Sequence, residues 1–93
     1  MEDLKVIHNK EKERFEIDLD GKTALIDYSE QNGVLAMTHT EVPPEFEGKG
    51  IGSKLVKGAL ELVKNENKRV RPLCPFVAAY IERHPEYEPL IVK

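Results

Sequence analysis

The sequence predicts an α+β domain: an antiparallel four-stranded meander, then a helix, a strand parallel to the fourth, and a second helix (β-β-β-β-α-β-α). Two observations carry that expectation. Apolar and polar residues alternate at the period of a strand through Arg14-Phe-Glu-Ile-Asp-Leu19, and the pairs Asp20-Gly21 and Asn32-Gly33 mark turns on either side of the next strand. After Pro43-Pro44 the apolar spacing switches to that of a helix. Ninety-three residues suit one domain, 1–93, with a single modest core.

Each element follows in order. Leu4 to His8 is expected as a first strand. Arg14 to Leu19 and Lys22 to Tyr28 form a hairpin about Asp20-Gly21, a pair suited to the positive φ angles of a tight turn. Val34 to Val42 is a long fourth strand, stopped by two prolines that cannot donate to a ladder. Ile51, Leu55, Val56, Ala59, Leu60 and Val63 mark one face of a helix, with Lys54, Lys57, Glu61 and Lys64 on the other, and Asn65-Glu-Asn67 ends it. Arg69 to Leu73 is short and extended. Phe76 to Arg83 is a second helix that ends by His84, because Pro85 disfavours the helical conformation before it. A strand-helix-strand crossover of this kind is right-handed and makes strands four and five parallel neighbours.

Composition narrows the function classes. The net charge of -3 does not call for a nucleic-acid partner, which would need clustered Lys and Arg. No apolar run approaches the roughly 20 residues of a membrane span. Met1-Glu-Asp-Leu-Lys5 lacks the basic start and apolar stretch of a secretion signal. Cys74 is the only cysteine, so an internal disulfide is impossible; a reducing, cytoplasmic setting is the expectation. A sheet edge on a chain this small leaves a monomer or a weak homodimer as the expected state.

The informative stretch is Val42-Pro-Pro-Glu-Phe-Glu-Gly-Lys-Gly-Ile-Gly-Ser53, where a strand hands over to a helix. Glycine permits a close backbone approach and angles closed to other residues. The free N–H groups at the helix start, together with its dipole, favour an anion; the alternative is a tight helix entry where glycine merely permits close packing. A phosphate loop of the Walker type would need a lysine after the last glycine, and Gly52-Ser53 lacks it. A dinucleotide fold would place this turn near the start of a mostly parallel sheet, whereas here it follows four antiparallel strands.

The stretch Val42 to Leu55 resembles the acetyl-coenzyme A signature of the GNAT superfamily of N-acetyltransferases, Gln/Arg-x-x-Gly-x-Gly/Ala after the fourth strand, with Gly50 and Gly52 on the signature glycines. Similarity runs to Tyr80, and Cys74-Pro-Phe76 with His84-Pro-Glu-Tyr87 is similar to a short subfamily that keeps little beyond the coenzyme half. The resemblance implies a GNAT-like fold and acetyl-coenzyme A as co-substrate, without a metal. It implies that the backbone at Glu41 and Val42 faces the pantetheine arm and the acyl carbonyl. It further implies that Gly48, Lys49, Gly50, Ile51, Gly52 and Ser53 hold the diphosphate. Strands four and five splay at their carboxyl ends in that superfamily, and the thioester lies in the gap. One departure stands out: Glu47 occupies the Gln/Arg position. A carboxylate 4 Å from a phosphate charge costs about 1 kcal/mol in water and about 4 at an effective dielectric of 20. Glu47 is therefore expected to turn away, to pair with Lys49, or to weaken binding.

Transfer to an amine needs a neutral nucleophile and an acid for the departing thiolate. Cys74, with Pro75 at the first helical position, caps the second helix, where the dipole favours a thiolate that could carry a transient acetyl group, or a thiol that could serve as proton donor. Its alternative reading is a small buried apolar residue. His39, near the end of strand four, is expected across the splay from Cys74 and able to serve it as base; a core or cross-strand histidine is the alternative. Glu41 is a second base candidate. Tyr80 stands where many GNAT enzymes keep a tyrosine acid, although core packing accounts for it as well. The face of Lys54, Lys57 and Lys64 is expected to be a solvated one, with help to phosphates from Lys49 and Lys54 as the alternative. The acceptor is a small-molecule or protein amine that the sequence does not identify. The rival functions are a coenzyme-binding module without turnover and an interaction domain without coenzyme.

Overall fold

Alternation in the first half of the chain becomes antiparallel pairing. The computed structural model describes residues 4–92, in which β1 (Ile7–Asn9), β2 (Arg14–Asp18), β3 (Thr23–Gln31) and β4 (Val34–Glu41) lie side by side in chain order. Asp20 and Gly21 (φ 56° and 96°) and Asn32 and Gly33 (φ 53° and 78°) all hold positive φ. Two positive φ angles in a row match the right-handed twist of the strands that each turn joins. Next come α1 (Ile51–Asn65), β5 (Arg69–Pro72) and α2 (Pro75–Arg83), and β5 pairs parallel to β4. The α+β order expected from the sequence is the order observed.

The helices cover one face of the sheet. Phe15, Ile17, Ile26, Leu35, Met37 and Val70 point from the strands into a core that meets Leu55, Val56, Ala59 and Leu60 of α1, together with Val77 and Ile81 of α2. Burying each of the larger side chains stabilises the fold by about 1.5–3 kcal/mol. Hydrophobic burial thus sets which face each strand turns inward. Polar alternates such as Arg14, Glu16 and Asp27 take the other face, where Arg14 lies 3.5 Å from Glu16 and 3.6 Å from Asp27.

Element boundaries differ from the sequence reading for local reasons. The first strand is Ile7–Asn9 rather than Leu4 to His8. Val6 instead docks on α1 at Gly58, where an added Cβ would collide with the valine side chain. Glycine on an otherwise polar helix face leaves the notch that Val6 fills. The third strand runs three residues past Tyr28, to Gln31. The fourth stops at Glu41 rather than Val42, and α2 starts at Pro75 rather than Phe76. Two 3₁₀ turns, Pro44–Phe46 and Pro85–Leu90, were not foreseen. Past the second of them the chain returns to the sheet: Ile91 bridges Val70 in parallel, and Val92 N–H donates to the Val70 carbonyl at 2.9 Å.

β1 is fastened by a polar cluster at the far end of α1. His8 stacks on Phe15 with ring centroids 4.3 Å apart, and its two ring nitrogens meet Tyr28 Oη at 2.5 Å and Glu66 Oε2 at 3.1 Å. Lys68 bridges Glu66 and Glu30. Partial burial opposes ionisation of Glu66, but hydrogen bonds and charge from His8, Lys10 and Lys68 outweigh it and hold the carboxyl below its usual range. A carboxylate depressed in the folded state adds stability above its unfolded pKa, and that stability is lost as pH falls through the folded pKa. Urea unfolding should therefore show Glu66→Gln less stable than the parent at pH 7, with the gap closing as pH is lowered toward 3. A gap independent of pH would exclude this ion cluster as its source.

Candidate active-site cleft

Two local departures from regular sheet open a gap between β4 and β5. The strands pair only from Val34 and Arg69 to Met37 and Pro72. Leu73 N–H then turns back to the Arg71 carbonyl at 3.0 Å, and Cys74 N–H donates to the Met37 carbonyl at 2.8 Å, which starts α2 beside the strand. β4 continues alone on that side to Glu41. Within the stretch, Tyr28 faces Met37 but Asp27 faces His39, so Thr38 is one residue too many on β4. A bulge of this kind shifts the alternation by one position. Leu35 and Met37 point inward; past the bulge, Thr40 and Val42 do so, and both line the cleft beyond.

The glycine-rich turn forms the opposite wall. Gly48 and Gly50 hold φ of 81° and 76°, the left-handed region that favours glycine. Gly50 is the N-cap of α1, and no side chain caps the helix. Its carbonyl takes Lys54 N–H at 3.1 Å, so the preceding N–H groups, of Ile51, Gly52 and Ser53, have no partner within the helix. These residues line a cleft of about 380 Å³ with Thr40, Val42, Phe46, Glu47 and Phe76. Gly52 has a second use: a Cβ there would stand 2.7 Å from Phe76 Cζ. Its missing side chain seats the Phe76 ring between the helix starts. Lys22 ties the wall to the β2–β3 turn through Glu45, at 2.6 Å.

Cys74 sits one side chain behind the cleft. It is buried, and its Sγ lies 3.3 Å from Oγ1 of Thr40, which itself lines the cleft. Burial alone would raise the thiol pKa. Hydrogen bonding from the Thr40 hydroxyl, from the N–H groups of Val77 and Phe76 at the start of α2, and from Thr40 N–H outweighs it and lowers the pKa below the usual thiol value. The Thr40 hydroxyl donating to a thiolate is a charge-assisted bond, roughly twice as strong as a neutral one.

The other candidates are distributed differently from the sequence reading. His39 is not across from Cys74, because the bulge puts Thr40 in that place. His39 is 57% exposed and pairs with Glu41, 64% exposed, at 3.3 Å, and neither lines the cleft. Tyr80 is buried on α2, stacked on His84 with centroids 4.0 Å apart and interplanar angle 15°. Six residues after Cys74, it is about 9 Å further along the helix axis. Burial, with Glu86 and Glu61 adding repulsion, raises its pKa. Lys49 does not pair with Glu47: its Nζ lies 5.9 Å from the centroid of the Phe46 ring, while Glu47 lines the cleft. Val42, Gly48, Gly50, Ile51, Gly52 and Ser53 all meet there, and Lys49 stands outside. Thr40, Phe46 and Phe76 are lining residues that the sequence reading did not assign to the site. Only the bulge, which leaves no mark in the residue pattern, would have revealed Thr40. Among the described residues, no group of three or more His, Cys, Asp or Glu could hold a metal ion.

The family model for the GCN5-related N-acetyl-transferase matches residues 14–90. Protein NATD1 of Mus musculus is 27% identical over 85 residues, covering 88% of this chain and 77% of the relative. Protein NATD1 of Danio rerio is 29% identical over 89 residues, covering 90% and 81%. A GCN5-like protein from Staphylococcus aureus, solved in solution by NMR, superposes with a TM-score of 0.72 at 26% identity, covering 99% of this chain and 91% of that one.

The contact between Thr40 and Cys74 yields a direct test. Alkylation of Cys74 by iodoacetamide should rise with pH about a midpoint below that of an ordinary free thiol. Thr40→Val should move the midpoint upward, since the thiolate loses its donor. An unchanged midpoint in Thr40→Val would show that the hydroxyl does not stabilise the thiolate.

Proposed function

The chain belongs to the GCN5-related N-acetyltransferase family, and from that premise we propose that it binds acetyl-coenzyme A in the cleft between β4 and α1 and moves the acetyl group to an amine. The observation that carries this reading is the row of free N–H groups at Ile51, Gly52 and Ser53 on the wall of an open cleft, beyond two left-handed glycines. Exposed helix-start amides and the helix dipole suit a diphosphate. Val42 and the unpaired end of β4 lie where an extended pantetheine arm would run, toward Thr40 and Cys74.

Cys74 is the nucleophile we assign to the chemistry, because no other acid–base candidate from the sequence lies near Thr40. Its thiolate attacks the acetyl carbonyl carbon. A new C–S bond forms, the thioester bond to coenzyme A breaks, and the coenzyme leaves as a thiolate that takes up a proton. A neutral amine then attacks acetyl-Cys74, the amide forms, and the amine's proton leaves with the restored thiol. A module that binds coenzyme without turnover is the second reading, favoured by the outward placement of His39 and Glu41 and the core placement of Tyr80. For either role we propose a cytoplasmic setting, which keeps Cys74 reduced, and a monomer or weak homodimer.

Thermal shift and calorimetry with coenzyme A test the binding step. Ligand at 100 times its dissociation constant should add about 2.7 kcal/mol of stability. Ser53→Pro, which removes one amide donor in the first helical turn, should remain folded by circular dichroism and lose affinity. No stabilisation of the parent at millimolar coenzyme would reject the reading. Intact mass after incubation with acetyl-coenzyme A should show one added acetyl group that is lost in Cys74→Ala. Binding with no acetyl adduct and no amine product supports the module instead.

Glu47 supplies a second prediction. Removing one carboxylate charge near a diphosphate is worth about 1 kcal/mol at 4 Å in water, about fivefold in affinity. Glu47→Gln should therefore tighten coenzyme A binding about fivefold at low salt and less at high salt. Weaker binding in this variant would mean that the carboxylate serves the ligand rather than opposing it.

A further inference from the structure

β2 is a strand whose outer edge is only lightly covered. β1 pairs with it through three residues, Ile7, His8 and Asn9 against Glu16, Phe15 and Arg14. It adds no residue to the buried core, and Ile7 is 53% exposed. Ile17 and Asp18 extend past the end of β1, with no strand opposite them on that side among the described residues. Outside the ladder, two anchors hold this cover down: Val6 in the notch at Gly58, and His8 against Glu66 at 3.1 Å. Both anchors lie on α1 or just past its end. Lifting β1 therefore breaks no pairing among β2, β3, β4 and β5.

The edge beneath is complementary to itself. Arg14-Phe-Glu-Ile-Asp18 carries opposite charges at its two ends and apolar residues second and fourth. Turned about a two-fold axis at Glu16, two such strands run antiparallel, with Arg14 opposite Asp18 and Phe15 opposite Ile17 on both sides of the axis. Residues directly opposite share a face of the sheet. The two charge pairs stand on the uncovered face, and the apolar pairs continue the core. The facing Ile17 takes the place of His8, which stacks on Phe15 in the closed form. Only Glu16 meets its own kind. We propose that β1 is a removable cover, and that when it lifts β2 pairs with β2 of a second copy about Glu16, joining two domains into one continuous sheet. The closed form prevails because a chain's own cover is always at hand, whereas a second copy must be met in solution. Facing carboxylates at Glu16 oppose the open pairing further. The interface uses no residue of the cleft, so it stands apart from the coenzyme reading.

Sedimentation equilibrium on the full chain tests this with Val6→Asp and Glu66→Gln together, which cut both anchors. The variant should keep its circular dichroism and dimerise at concentrations where the parent is a monomer. Gly58→Ala gives a second route to release: its Cβ would collide with the Val6 side chain, while alanine favours the helix. In either released background Asp18→Lys should weaken the dimer about tenfold, the scale of two cross-strand charge pairs made repulsive. Glu16→Gln should tighten it. Folded released variants that stay monomeric would overturn the proposal, as would a dimer indifferent to Asp18→Lys, which would mean that copies trade β1 instead. Loss of the fold in both released variants would also overturn it, because β1 would then be part of the domain's foundation and not a cover.

Discussion

Everything at the site follows from how β4 is built past Met37. Up to that point the strand is an ordinary member of the sheet, paired on both sides and alternating core with surface. There β5 turns away into α2, and one extra residue, Thr38, enters β4. The first change leaves an unpaired stretch of strand; the second decides which side chains look into the space beside it. Without the bulge, His39 and Glu41 would face the cleft and Thr40 would face solvent. With it, a hydroxyl reaches the only thiol in the chain, and the imidazole–carboxylate pair sits on the far surface of the sheet.

Much of the architecture was legible because it depends on backbone rules with strong residue preferences. Asp20-Gly21 and Asn32-Gly33 announce turns that need positive φ, and the change from period two to helical spacing marks where sheet gives way to α1. The glycine-rich turn could be placed for the same reason, since Gly48 and Gly50 hold angles that other residues adopt only with strain. What escaped reading is decided by tertiary geometry. Thr38-His-Thr-Glu41 is polar throughout, so its alternation carries no signal that a bulge has reversed it. The shift of β1 depends on Val6 finding the notch at Gly58, more than fifty positions away in sequence, and neither residue advertises the contact.

The three glycines of the turn, read as one motif, divide their work. Gly48 and Gly50 supply conformation, whereas Gly52 supplies room for an aromatic ring from another helix. The Phe76 ring closes one side of the cleft and locks the starts of the two helices together. The electrostatics are similarly mixed. Amides and the helix dipole make the wall attractive to anions, while Glu47 on the same wall opposes them and Lys49 is turned toward Phe46. The site's preference for a ligand is thus a balance rather than a sum of like contributions.

The return of the chain to the sheet after α2 has a consequence for life in a crowded solution. A strand flank with bare amides and carbonyls is a template on which another polypeptide can crystallise into a shared sheet. By laying Ile91 and Val92 alongside Val70, the molecule screens one flank with its own backbone. On the opposite flank lies β1, only three residues long, whose brevity gives a stranger little to grip. The two ends of the described chain thus act as selvedges, finishing a small fabric that would otherwise fray into its neighbours.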